Sequence, residues 1–285
     1  MKLIRYGEFG KEKPGVIVND KMLDMSSLTD DYDENFFGTG GLKKLAAYLS
    51  KDVSDLTDVP KGVRLGSPIA RPSKIVCIGL NYEDHARETN APIPPEPVIF
   101  LKATSSLCGP FDHIVIPKNS EKTDWEVELA VVIEKKASYV SEVDAMDYVA
   151  GYCLHNDVSE RSFQLERNGT WDKGKGCDTF APLGPWLVTK DDVEDVNKLR
   201  LWLSLNGKIM QNGTTANLIY KIPFLVSYVS QFMSLLPGDV ISTGTPAGVG
   251  LGMKPPVYLK PGDVVELGID GIGTAKQDVK AYEPN

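Results

Sequence analysis

Apolar residues in this sequence come in short runs, many of them bounded by glycine, proline or Asn-Asp. LIRYG, PGVIVND, KIVCIGLNY, PVIFLKA, HIVIP, WEVELAVVIEKKA, YVAGYCL, LRLWLSLNGKIMQ, DVISTGTPAG and DVVELGIDGIG follow one another along the chain. Runs this short, bounded by turn residues, fit strands rather than long helices. Helical spacing occurs in fewer places: LKKLAAYLS, with apolar positions 42, 45, 46 and 49, and PFLVSYVSQFMSLL over 223–236. A short helix is also expected within YVSEVDAMDYV. Many strands with few helices predict a β-rich α+β fold, not a doubly wound α/β sheet.

At 285 residues the chain is long enough for one large domain and one smaller. LIRYG, PGVIVND and KMLDMSSL read as a small N-terminal β-meander, and the stretch between Pro60 and Pro72 reads as a linker. The expected division is therefore 1–70 and 71–285. A net charge of -8 offers no basic surface for nucleic acid or anionic lipid. No stretch approaches a membrane span, and MKLIRYGEFG is interrupted by Glu8, so it does not read as a signal peptide. Cys77, Cys108, Cys153 and Cys177 lie far apart, as expected of reduced thiols in the cytoplasm.

The chemistry concentrates in acidic residues beside apolar strands. In WEVELAVVI, strand alternation sends Glu126 and Glu128 to one face, with Val127, Leu129, Val131 and Ile133 on the other. Such a pair on an exposed face would merely be solvated. Asp157, however, ends the buried-type run YVAGYCLHN, where a carboxylate is costly unless paired or bound to metal. Three oxygen donors suit a hard cation such as Mg²⁺, Mn²⁺ or Ca²⁺ and leave positions open for water or substrate. In NYEDHARE, one helical turn would bring Glu88 against His85 and make a steered base. His113 and His155, beside apolar strands, read as structural. Lys175, between Gly174 and Gly176, is placed to stabilise an enolate or carboxylate. TGTPAGVG, around Thr245, offers closely spaced N–H groups for a carboxylate.

NYEDHARE, WEVELA, HNDVSERSFQ, GKGCDTFAPLGPW and STGTPAGVG, in that order, resemble the fumarylacetoacetate hydrolase superfamily over residues 70 to 282. With its additional N-terminal segment, the chain resembles the two-domain members that act on diketo sugar acids. The resemblance implies a mixed β-sandwich roll, a homodimer, and Mg²⁺ or Mn²⁺ on Glu126, Glu128 and Asp157. It implies a catalytic His85–Glu88 dyad on a lid, an active-site Lys175, and substrate contacts from Arg161, Gln164 and Thr245. Between Arg161 and Gln164, Ser162 and Phe163 replace the commoner Asp-Val. The expected reaction is hydrolysis of a 2,4-diketo-3-deoxy sugar acid to pyruvate and a hydroxy acid. Acylpyruvate hydrolysis, oxaloacetate decarboxylation, dioic-acid isomerisation and ureidoglycolate cleavage run on the same scaffold. A metal-dependent protein that only binds oxo-acids is the non-enzymatic alternative.

Overall fold

The computed structural model describes every residue except 52, 54, 89–91 and 285. Two mixed sheets carry the fold. The larger has nine strands in the spatial order Lys21–Asp24, Lys13–Val18, Lys2–Tyr6, Leu187–Thr189, Val149–Asn156, Val127–Ile133, Val240–Ser242, Ile75–Gly79 and Val98–Lys102. Its neighbours run antiparallel except Val240–Ser242 beside Ile75–Gly79. The second sheet has five strands, Lys208–Thr214, Arg200–Leu205, Val264–Ile269, Gly273–Ala281 and Ile114–Ile116, with a parallel junction between the last two. The architecture is the β-rich α+β fold expected from the runs of short strands.

Val127–Ile133 lies near the middle of the large sheet and is buried along its whole length. Its alternation feeds two separate cores. Val127, Leu129, Val131 and Ile133 pack toward Leu201, Leu203, Val265, Leu267 and Ile269 of the five-stranded sheet. Ala130 and Val132, on the face that carries Glu128, pack with Leu3, Val16, Met25, Tyr32, Phe36, Phe37, Leu42 and Leu45. The N-terminal strands thus form the expected meander and also extend the large sheet, with Leu3 opposite Leu187. The 60–72 stretch contains no helix or strand, yet Leu65 and Ile69 are buried.

Gly41–Leu49 is helical, as its spacing predicts, and Ala145–Tyr148 is a single 3₁₀ turn. The helix expected over 223–236 covers only Ile222–Val229. Beyond it, Ser230 accepts Val140 N–H on its Oγ and Tyr139 N–H on its carbonyl, which binds the chain to the 139–140 segment and stops propagation. The proline cluster at 92–97 is a loop, tied down where Tyr220 Oη donates to Pro94 O at 2.7 Å. All four cysteines are free, and no helix among the described residues is long and apolar enough to cross a membrane.

Candidate active site

Glu126 immediately precedes the strand Val127–Ile133 and Glu128 is its second residue, so both carboxylates leave on one face. On the neighbouring antiparallel strand, His155 stands opposite Glu128 and Asn156 opposite Val127. That register brings Asp157 level with Glu126, and Asp157 N–H donates to Glu126 O at 2.9 Å. One oxygen from each of Glu126, Glu128 and Asp157 lies within 4.8 Å of the others, and all three residues are buried. Side chains hold the strand end open at this point: Val127 N–H donates to Gln211 Oε1 at 2.9 Å, and Glu126 N–H to Asn156 Oδ1 at 3.1 Å.

Three cations surround the cluster. Lys175 Nζ donates to Glu126 Oε2 at 2.7 Å and Asp157 Oδ2 at 2.8 Å. Lys102 Nζ donates to Asp157 Oδ1 at 2.5 Å and Val158 O at 3.0 Å. Arg161 reaches Glu126 Oε1 at 2.7 Å, Asp124 Oδ2 at 2.9 Å and Gln164 Oε1 at 3.0 Å. Four carboxylates, counting Asp124, therefore face three side-chain cations. Burial alone would push the Asp157 carboxyl up, but Lys102 and Lys175 outweigh it and hold it well below the usual carboxylate range. Lys175 is the mirror case: burial disfavours its charge, and Asp157 and Glu126 more than restore it, raising the ammonium above its ordinary value. Glu128 takes neutral donors instead, Ser242 Oγ at 2.5 Å and Gly244 N–H at 3.0 Å. Burial, then the charges of Asp157 and Glu126, push its carboxyl well above the usual range. An all-oxygen cluster in which one member is driven toward protonation fits a hard divalent cation, which would take the place of that proton.

A cavity of ≈ 280 Å³ opens over the cluster, lined by Glu126, Glu128, Arg161, Gln164, Lys175, Thr245 and His85. Asp157 lies beneath this floor, fully buried. His85 belongs to the short helix Glu83–Glu88, and its Nδ1 lies 3.4 Å from Glu88 Oε2. Glu88 is fixed in turn by Gly248 N–H, at 3.0 and 3.1 Å from its two oxygens. The structure thus brings the nine sequence-derived site residues into one constellation. Thr245 lines the cavity, and its hydroxyl donates to Val127 O at 2.9 Å while accepting from Gln211 Nε2 at 2.7 Å. His113 lies at the surface, 3.9 Å from Asp278.

The GKG segment shows why small residues flank Lys175. A Cβ on Gly174 would stand 2.4 Å from Glu160 O and 2.6 Å from Gln164 N, so only glycine lets Asp172–Lys175 lie against Arg161–Leu165. Gly248 has φ +108, and a Cβ there would meet Met210 O at 2.0 Å. Lys102 and Asp124 were not singled out from sequence. Lys102 shares strand parity with Phe100, which lines the cavity, and Asp124 extends the acidic alternation two residues upstream of Glu126. Asp124 accepts Gly250 N–H at 2.7 Å and Leu251 N–H at 2.9 Å as well as Arg161, so it ties the TGTPAGVG loop to the arginine.

The chain is similar to known proteins over nearly its whole length. A protein of Burkholderia ambifaria that carries only the provisional name of hydrolase is 52% identical over 282 residues, spanning 98% of this chain and 99% of its own. Fumarylacetoacetate hydrolase from the psychrophile Exiguobacterium antarcticum superposes with a TM-score of 0.87 at 35% identity, covering 99% of this chain and 100% of that one. Maleylpyruvate hydrolase from Sphingobium sp. SYK-6, solved with manganese(II) ion and pyruvate, superposes with a TM-score of 0.83 at 29% identity, covering 99% and 100%. The profile of the fumarylacetoacetate (FAA) hydrolase C-terminal family matches residues 74–280, and the chain belongs to that family.

Proposed function

We propose that this protein is a divalent-metal-dependent hydrolase that cleaves the C3–C4 bond of a 2,4-dioxo acid, releasing pyruvate and the acid of the acyl half. One observation carries the reading: a histidine backed by a carboxylate shares a cavity with Glu126 and Glu128, and Asp157 clusters with them beneath its floor. Glu126, Glu128 and Asp157 would hold Mg²⁺ or Mn²⁺. A bound cation would orient the carboxylate and 2-oxo group of the substrate and act as a Lewis acid toward them. His85, steadied by Glu88, takes the proton of a water that attacks C4. As the C3–C4 bond breaks, its electron pair moves toward the pyruvate half, and Lys175 offers a fixed positive charge to the oxygen that gains it. Manganese and pyruvate in the Sphingobium maleylpyruvate hydrolase support this assignment.

Away from the polar floor, the cavity is walled by Ile78, Leu80, Phe100, Leu165, Trp171 and Leu251. Apolar walls give hydroxyl groups no partners, which favours acylpyruvates with apolar acyl groups over diketo sugar acids. Pyruvate release coupled to lactate dehydrogenase, across acylpyruvates, 2,4-diketo-3-deoxy sugar acids and oxaloacetate, tests both steps. Turnover that survives thorough chelation would exclude the metal role. Sugar acids outpacing every acylpyruvate would overturn the apolar preference, and binding without turnover on any compound would leave an oxo-acid binding protein.

A further inference from the structure

His155 is fully buried, yet only one of its ring nitrogens is engaged. Nδ1 lies 2.7 Å from Ser242 Oγ, whereas Nε2 is buried with no hydrogen-bond partner among the described residues. A leucine could fill this position in the strand Val149–Asn156 without stranding a polar atom, so what the imidazole supplies must lie on its Nδ1 side. That side leads to the carboxylate cluster, since Ser242 Oγ is 2.5 Å from Glu128 Oε2.

The direction of these hydrogen bonds follows from counting protons. Oε2 of Glu128 also accepts Gly244 N–H at 3.0 Å, so Oε2 is the accepting oxygen and any proton Glu128 carries belongs on Oε1. Ser242 must therefore donate its single proton to Oε2. Its oxygen can then meet His155 Nδ1 only as an acceptor, which requires a proton on Nδ1, and with Nε2 buried and unpartnered among the described residues the neutral Nδ1–H ring leaves no N–H stranded there. We propose that His155 is a positioning residue for the cation site: its Nδ1–H turns the Ser242 hydroxyl onto Glu128, which fixes the rotamer of that carboxylate and leaves Oε1 for the ion. The inference rests on the reading that Glu126, Glu128 and Asp157 hold a divalent cation. It adds two residues, one on each strand flanking Val127–Ile133, that make Glu128 a preset donor.

Mn²⁺ affinity, read by electron paramagnetic resonance and calorimetry on the full chain, tests the arrangement without reference to turnover. His155→Leu removes the donor and should weaken Mn²⁺ binding by roughly tenfold, the usual cost of losing a group that orients a metal ligand. His155→Asn places an amide N–H near the old Nδ1 and should restore most of that loss. Ser242→Ala should weaken binding by a similar factor, and His155→Leu added to it should change little, because both act through one hydrogen bond. Losses that multiply in the double variant, or wild-type affinity in His155→Leu, would overturn the proposal.

A second readout does not depend on the variants folding. In ¹⁵N-histidine-labelled wild-type protein, with and without Mg²⁺, the His155 signal should be that of the Nδ1–H tautomer. An Nε2–H tautomer, which has no Nδ1 proton to give Ser242, would overturn the clamp. Wild-type protein lacking a saturable Mn²⁺ site would instead sink the metal dependence itself, while the tautomer would still decide how Glu128 is held.

Discussion

Replacing Lys175 by methionine should separate holding the cation from using it. The ammonium bridges Glu126 and Asp157 at 2.7 and 2.8 Å and is almost wholly buried. Methionine keeps most of the side-chain volume but leaves two buried carboxylates short of one positive charge. Breaking a buried pair from one side typically costs about 3–5 kcal/mol. At about 2 °C per kcal/mol for a chain of this size, the metal-free variant should melt roughly 6–10 °C below wild type. A divalent cation can replace the missing charge, and it no longer meets an ammonium bound to the same oxygens. Mn²⁺ should therefore bind the variant more tightly than wild type, so that scanning calorimetry shows a larger metal-induced rise in Tm. Pyruvate release should still fall by roughly 10²- to 10³-fold, because the charge beside the reacting oxygens is gone. A metal-free variant as stable as wild type that also binds Mn²⁺ more weakly would refute this account of the lysine.

His85→Ala should lower pyruvate release by about 10²- to 10⁴-fold while leaving Mn²⁺ affinity unchanged by calorimetry, since the carboxylate that steadies the ring, Glu88, is not one of the three metal ligands. Burial and the charges of Asp157 and Glu126 hold the Glu128 carboxyl well above the usual carboxylate range, so a cation bound there would compete with its proton. Mn²⁺ affinity should accordingly rise with pH, and titrations in buffers of different ionisation enthalpy should show proton release on binding. Gly174→Ala sets a methyl 2.4 Å from Glu160 O and should push Asp172–Lys175 off its seat, costing about 1–3 kcal/mol by denaturant titration and most of the turnover.

Much of the site was legible because the relevant signals are local. The period of two along WEVELAVVI places Glu126 and Glu128 together, and the structure keeps that alternation, dividing the strand between two cores. His85 and Glu88 needed only one helical turn, and the flanking glycines marked the tight approach around Lys175. What escaped depended on contacts between distant segments. Lys102 ends an apolar strand and meets Asp157 from 55 residues away, and Ser242 meets Glu128 from 114. Nothing in the sequence near either residue encodes its partner. The TGTPAGVG pattern marked its loop by backbone N–H groups, whereas the seat of the Thr245 hydroxyl between Val127 and Gln211 is revealed only by the packing of a third strand.

The first strand of the chain lies beside Leu187–Thr189, one strand removed from the one that delivers Asp157, and Leu3, Met25 and Phe37 share a packed cluster with Ala130, Val132 and Cys153. The opening strands therefore form the far wall of the room in which the carboxylates stand. A cavity-forming substitution in that wall should reach the carboxylates through Ala130 and Val132, which share their strand with Glu128. Sequence drift at Leu3 or Phe37 would then shift the spacing of the carboxylates while leaving all three side chains in place.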